Sequence, residues 1–366
     1  MATCFLGNVL LVILELREMI TIGVLAYIPS MRHRELLERT LNSLTNQVGA
    51  PRFQIILVDN GNSTVGYPAD DGLDSTSSWL KSLAQRYGAL YMRRENREIA
   101  AARDLVVRTE ARYVGFVDSD VEAPPAWLSD MAAELDREPR IVAVASSNRP
   151  PEGESAFEDA LLALFQVPWN FLGSTQALQQ KAGFRDVQHL SSCAVLYRRD
   201  ALLRVGSYDL SFTSVCEDLE LSQRLRSEGM LRLLGTSPVI HRQDRTERAW
   251  WSRMFRYGWG QIEVMRKHPK TVMSLKGALV PLFLFACLTV ALAVWGEVLP
   301  LVLLLGTYLG ITAGGVFLRS QAPRLPTRVR GAVLTVGTHF FYVLGMLAGV
   351  CGISKNPPSA IPSGDE

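Results

Sequence analysis

Asp118 and Asp120 stand one residue apart in "RYVGFVDSDVEAPPAWL", Arg112–Leu128. Carboxylates that close repel one another unless something neutralises them. A hard divalent cation does so, with one carboxylate binding directly and the other through water. Mg2+ or Mn2+ chemistry is therefore what the pair offers, although a solvated turn or a helix N-terminus accounts for the same spacing. A second acidic pair, Glu217-Asp218, opens the stretch "EDLELSQRL". Asp59-Asn60 closes the apolar run "FQIILV", and His241 follows "TSPVI".

Each of these groups needs a rigid post, and the surrounding residues supply one. Tyr113 to Val117 is a short apolar run with β-branched and aromatic residues, the composition of a buried strand. "MITIGVLAYIPS" and "FQIILVDNGNS" read as two more strands. The helix "ELLERTLNSLTNQ" repeats Leu37, Leu41 and Leu44 at helical spacing, and helices are also expected near 75–87 and over "AAARDLVVRTE". Strand–helix alternation of this kind predicts an α/β fold with a mostly parallel sheet and helices on both faces. Ligands of such sheets bind at the carboxyl ends of the strands. Three strand ends carry polar clusters: Pro29-Ser30, Asp59-Asn60 and Asp118-Ser119-Asp120.

Five segments in order resemble the family 2 glycosyltransferases, over about Ile20 to His241. They are "IPS" with "ELLERTLNSL", "ILVDNGNS", "NREIAAARD", "FVDSD", and "YRRDALLRVGSYDLSFTSVCEDLELSQRL". The resemblance implies a GT-A, Rossmann-like catalytic domain that inverts the anomeric carbon and uses Mg2+ or Mn2+. It places Pro29, Ser30, Asp59, Asn60, Arg103, Asp118 and Ser119 at the nucleotide sugar, and Asp118, Asp120 and His241 at the metal. It makes Asp218 the catalytic base, with Glu217 orienting the acceptor or only capping its helix. His241 has the further reading of a satisfied core or surface histidine. Three departures bear on base and sugar preference: Met31-Arg32 after the first strand, Glu98 in place of a glycine, and Asp104 in place of an asparagine. The Gln-x-x-Arg-Trp motif of processive relatives is absent, which favours transfer of a single hexosyl unit.

Beyond Arg248 the chain changes character. Ala278 to Trp295, Val298 to Leu318 and Gly331 to Val350 are almost uncharged, each near the ~20 residues that cross a bilayer as a helix. The loop between the second and third carries Arg319, Arg324, Arg328 and Arg330. The positive-inside rule then puts that loop and the catalytic domain in the cytosol. Just before the spans, "RAWWSRMFRYGWGQIEVMRKHP" sets Trp251, Met254, Phe255, Trp259, Ile262 and Met265 on one helical arc and Arg253, Arg256 and Lys267 opposite. That pattern suits a helix lying in the membrane interface or docking on the catalytic domain, with Gly258 and Gly260 permitting close approach of a lipid chain or another helix. The expected domains are an N-terminal segment 1–18 without assigned role, a catalytic domain 19–245, an interfacial region 246–275, three spans within 276–353, and a disordered tail 354–366.

Net charge of +2 argues against nucleic acid. Five scattered cysteines without a Cys-x-x-Cys suggest neither zinc nor a disulfide framework. The expected enzyme is a multi-pass cell-membrane glycosyltransferase of polysaccharide assembly, taking a nucleotide-diphosphate sugar to a lipid-linked or glycan acceptor. Three alternatives stand beside it: transfer to polyprenyl phosphate, a non-catalytic sugar-nucleotide-binding membrane recruiter, and a nucleotidyltransferase. The last lacks its Gly-rich phosphate loop, since "VLAYIPSMRHR" contains none.

Overall fold

The computed structural model describes residues 19–28, 31–60, 73–94, 98–167, 170, 183–212, 215–242, 246–269, 288, 298–322 and 324–353. Pro29, Ser30, segment 1–18, all but one residue of the first apolar run and the tail 354–366 lie outside them. In chain order the elements are β1 (Ile20–Ala26), α1 (Met31–Thr45), β2 (Phe53–Asp59), α2 (Leu73–Arg86), β3 (Leu90–Arg93), α3 (Ile99–Val107), β4 (Tyr113–Asp118) and β5 (Val121–Glu122). There follow α4 (Trp127–Arg137), β6 (Ile141–Arg149), α5 (Ala156–Phe165), β7 (Phe184–Val187), β8 (Ala194–Arg198), α6 (Arg199–Arg204), α7 (Glu217–Leu225) and β9 (Met230–His241). The last three are α8 (Glu247–Lys267), α9 (Val298–Arg319) and α10 (Leu325–Val350). The chain divides into two compact units, 1–148 with 182–241 and 149–181 with 242–366. The sequence expectation of one catalytic stretch over 19–245 did not foresee that 149–181 leaves the first unit and the chain then returns to it.

The first unit is built on one sheet in the order β3-β2-β1-β4-β8-β6-β9-β5, with β7 alongside β9. The expected parallel architecture holds over β3-β2-β1-β4. Beyond β4 the sheet continues with antiparallel β8, a mixed edge that alternation alone did not specify. Register fixes what emerges at the carboxyl edge: Ala26 pairs with Asp59 on one side of β1, and Leu25 with Asp118 on the other. Ile22, Val24, Leu57 and Val117 are buried in the core, with Leu37, Leu41 and Leu44 of α1 and Trp127, Leu128 and Met131 of α4 covering them. These are apolar residues at helical spacing facing strands that carry no polar side to water.

β4 holds the Asp-x-Asp end, and it is set in place by crowding. A side chain at Gly115 would meet Ile22 Cδ1 at 2.7 Å and the Val195 carbonyl at 2.8 Å. Only hydrogen fits there, because backbone and core side chains close in from both neighbouring strands.

In the second unit α8 forms where expected, and its apolar arc is occupied by another helix of this chain. Trp250, Met254, Phe255, Gly258 and Ile262 are buried against α5 and α10. Cβ atoms added at Gly258 or Gly345 would overlap the backbone carbonyls of Tyr342 and Phe255 respectively, so each helix offers the other a glycine groove. Trp250 donates its indole N–H to Thr338 Oγ1 at 2.8 Å, and Trp251 stacks on Phe341 with ring centroids 5.6 Å apart. The second apolar run forms α9 and the third lies within α10. Among the described residues one helix, Leu325–Val350, is long and apolar enough to cross a membrane. That is one such helix where three were expected, and the first run lies almost wholly outside the described residues. Val302, Leu303, Leu305, Ile311, Val333 and Phe340 are exposed along α9 and α10.

Gly115→Val overpacks the junction of β1, β4 and β8 and should destabilise the protein by about 1–3 kcal/mol. A lowered denaturation midpoint is the expected result.

Candidate functional site

Asp118, Asp120 and His241 come together at the carboxyl edge of the sheet, their ligand atoms within 4.8 Å of one another. The agent is a very short strand. β5 begins at Val121, immediately after Asp120, and pairs antiparallel with the end of β9 in the register Val121↔His241. His241 Nε2 lies 3.2 Å from Asp120 Oδ1. Burial alone would lower the imidazole pKa, but the Asp120 carboxylate and a hydrogen bond with Cys193 outweigh it and hold the ring at about 10. Without a metal, His241 is therefore an imidazolium at neutral pH. The sign follows from a raised pKa: the pairing stabilises the fold fully below the ordinary imidazole range and is lost as pH rises through about 10. Two carboxylates and one imidazole form a donor set suited to a divalent ion.

Cys193 belongs to the same corner. Its Sγ accepts from Asn148 Nδ2 at 3.1 Å, and its carbonyl accepts from the Asp118 N–H at 2.9 Å. Sequence reasoning singled out neither Cys193 nor Asn148. The signal is β8 itself, whose antiparallel pairing of Ala194 with Val117 brings Cys193 beside the Asp-x-Asp turn.

α7 carries the second acidic pair in its first turn. Cys216 precedes it with φ 63°, ψ 12°, left-handed backbone without a glycine. Such strain costs about 1–3 kcal/mol and persists where the surroundings over-determine it. Asp218 Oδ1 accepts from the Leu219 N–H at 2.7 Å and Oδ2 from the Ser192 N–H at 3.3 Å, while the side chain keeps 22% of its surface exposed. Glu217 is buried and hydrogen-bonded to Arg103. Burial pushes the Glu217 carboxyl up and Asp218 adds to that, against the pull of Arg103.

Arg103, expected at the nucleotide, is held in the structure by two carboxylates. Its guanidinium is buried, pairs with Glu217 through Nη1, and lies 3.3 Å from Asp118 Oδ1 through Nη2. The rings of Phe116 and Tyr208 flank it, 5.7 and 5.8 Å from the guanidinium carbon. One cation thus ties the β4 strand end to the start of α7.

Asp59, at the end of β2, is buried, and its Oδ2 accepts from Ser77 Oγ and Tyr91 Oη, both at 2.7 Å. Burial and this carboxylate push the Tyr91 phenol up to about 12. Asn60 is buried as well, and its Oδ1 has no hydrogen-bond partner among the described residues. Ser119 is buried between the two aspartates of its turn. Pro29 and Ser30 lie outside the described residues, so of the expected site they alone cannot be placed.

The model of the family described as Glycosyl transferase family 2 matches residues 26–206. No curated protein matches the chain. Among solved structures, the chain is similar to mannosyltransferase PcManGT from Pyrobaculum calidifontis in complex with GDP-Man and Mn2+. The identity is 17%, over 92% of this chain and 88% of that one, with a TM-score of 0.57. It is also similar to S. aureus TarS 1-349 in complex with UDP, at 16% identity over 91% of each chain and a TM-score of 0.43. At such identities the PcManGT likeness speaks for the fold, an α/β GT-A-like domain.

Arg103→Met removes the only cation contacting Glu217 among the described contacts and leaves that carboxylate buried. A loss of about 3–5 kcal/mol is expected in chemical denaturation. Adding Glu217→Leu should restore most of it, since an apolar pair needs no counter-charge.

Proposed function

Residues 26–206 being a glycosyltransferase family 2 domain, we propose that the protein moves one sugar from a nucleotide-diphosphate sugar to an acceptor hydroxyl, inverting the anomeric carbon. The observation that carries this reading is the Arg103 bridge, which fastens the metal-cluster strand end to the helix that presents Asp218. A donor's diphosphate at Asp118, Asp120 and His241 then lies at the same edge as a carboxylate able to take a proton. When bound, a divalent ion supplies the Lewis acidity that offsets charge on the departing diphosphate. The imidazole in the donor set favours Mn2+ over Mg2+, which prefers oxygen ligands and water. The Mn2+ in the PcManGT complex agrees with that choice.

The chain's own residues do the rest. The unpartnered Asn60 Oδ1 and the buried Asp59 carboxylate suit hydroxyl and N–H donors of a ribose or base. Asp218, partly exposed and held by two backbone N–H groups, accepts the acceptor's proton as the new bond forms. Glu217, occupied by Arg103, positions rather than reacts. A single base, with no second nucleophile evident among the described residues, favours one displacement and hence inversion. Glu217 and Asp218 retained side by side weigh against a merely binding module.

The acceptor is a lipid-linked saccharide, on this reading, and the protein is membrane-bound with its catalytic domain cytoplasmic. Exposed apolar side chains along α9 and α10, the length of Leu325–Val350, and the arginines at 319, 324, 328 and 330 support it. So does a cavity of about 430 Å³ in the second unit lined by apolar groups, among them Trp251, Val336, Phe340 and Phe341.

Because His241 holds a proton when no metal is bound, Mn2+ titration at pH 7.5 should release about one proton. Calorimetry in buffers of different ionisation enthalpy reads this directly. His241→Asn should bind more weakly and release none, and equal proton release from both proteins would remove His241 from the ligand set.

Asp218→Asn should lower turnover about 10²–10⁴-fold while the donor dissociation constant stays near that of the wild type. A silent substitution would mean that Asp218 serves only to hold the start of α7 through the Leu219 and Ser192 N–H groups.

A further inference from the structure

Asp218 has a neighbour that no part of the mechanism above uses. The turn between β7 and β8 is fastened to α7 at two points. The Leu190 N–H donates to Ser222 Oγ at 3.1 Å, and the Ser192 N–H donates to Asp218 Oδ2 at 3.3 Å. Immediately before the first anchor sits His189, with Nε2 4.0 Å from the same Asp218 oxygen. Its Nδ1 is buried and has no hydrogen-bond partner among the described residues.

That asymmetry decides the tautomer. A proton on Nδ1 would be a buried, unsatisfied donor and would turn the Nε2 lone pair toward a carboxylate. A proton on Nε2 leaves only an unsatisfied acceptor at Nδ1 and aims an N–H at Asp218. Burial pushes the His189 pKa down, against the pull of Asp218, so the ring is neutral at neutral pH. Donor–carboxylate distances of this kind often shorten when substrate arrives.

The geometry points to His189 as a positioning residue for Asp218: its Nε2–H donates to Oδ2, fixes the carboxylate's orientation toward the acceptor, and favours its ionised form. The inference rests on Asp218 being the base. The acceptor's proton goes to the Asp218 carboxylate, and the imidazole keeps its own. The other groups that act electrostatically on Asp218 are Arg103, Glu217, Tyr197 and Cys216. Arg103 stays cationic, Tyr197 is pushed up to about 12 and Cys216 well above its ordinary value, so none of these three changes charge near neutral pH. Glu217 is common to every variant compared below.

The test uses the full chain with Mn2+, reading nucleoside diphosphate released from GDP-mannose and from a panel of UDP-sugars between pH 5 and 9. Loss of one hydrogen bond to a charged group in His189→Phe should lower kcat ~10-fold, with the donor KM within ~2-fold. The acid limb of the profile should move up, because the carboxylate has lost a donor. His189→Gln keeps an N–H donor at similar reach and should recover most of the turnover and the wild-type limb. Wild-type turnover in the Phe variant overturns the inference, as does a Gln variant that is equally slow with an unmoved acid limb. In an Asp218→Asn background, adding His189→Phe should change nothing further. A further drop there sinks the role of His189 and leaves the base intact, whereas full turnover by Asp218→Asn alone removes the base itself. Independently of any donor, ¹⁵N spectra of the five histidines, assigned through the His189 variants, should show an Nε2–H tautomer for His189. An Nδ1–H tautomer would overturn the inference outright.

Discussion

One buried guanidinium organises the candidate site. Arg103 reaches from α3 into the interior and contacts carboxylates from two places far apart in the chain, Asp118 on β4 and Glu217 on α7. Buried ion pairs of this kind add little net stability, since desolvation offsets most of the Coulomb attraction. Their effect is geometric. A charge that must be satisfied by two carboxylates at once leaves few arrangements of strand end and helix, and the strained Cys216 backbone is the counterpart of that restriction. Phe116 and Tyr208 close over the cation and keep water from competing for it.

Much of the first unit was legible because its signals are local. Apolar runs ending in aspartate identify β2 and β4, and leucines at helical spacing identify α1. The Asp-x-Asp pair and the Glu-Asp pair were likewise readable where they stand. Arg103 was not readable in the same way. Its residue type suits phosphate, and nothing nearby in sequence reveals Glu217 as its partner, which only the fold supplies. The same holds for Cys193, Asn148 and His189, unremarkable residues that strand pairing and turn anchoring bring to the site.

The second unit shows the complementary difficulty. Composition separates an apolar tail from a charged catalytic stretch, but composition cannot show that 149–181 belongs with that tail. α5 is apolar on the face where a core helix would be, so its sequence fits either unit equally well. Gly258 and Gly260 were readable as permitting close approach, but which backbone approaches emerges only in the fold. Gly258 faces Tyr342 and Gly345 faces Phe255, which converts a local penalty in helix propensity into close contact between helices.

The two-residue strand β5 has a consequence for how the protein comes into being. Asp118 and Asp120 leave the ribosome early, but their imidazole partner ends β9, the last strand of the sheet to be synthesised. Every shorter nascent chain carries a pair of carboxylates with no third ligand and no imidazolium to offset their repulsion. The sheet therefore acquires its Asp-Asp-His corner at the final stitch, when the β9 terminus zips against Val121. Domains fold as units from the N-terminus during synthesis. The Asp118, Asp120 and His241 corner is thus reserved for chains whose first unit has been completed.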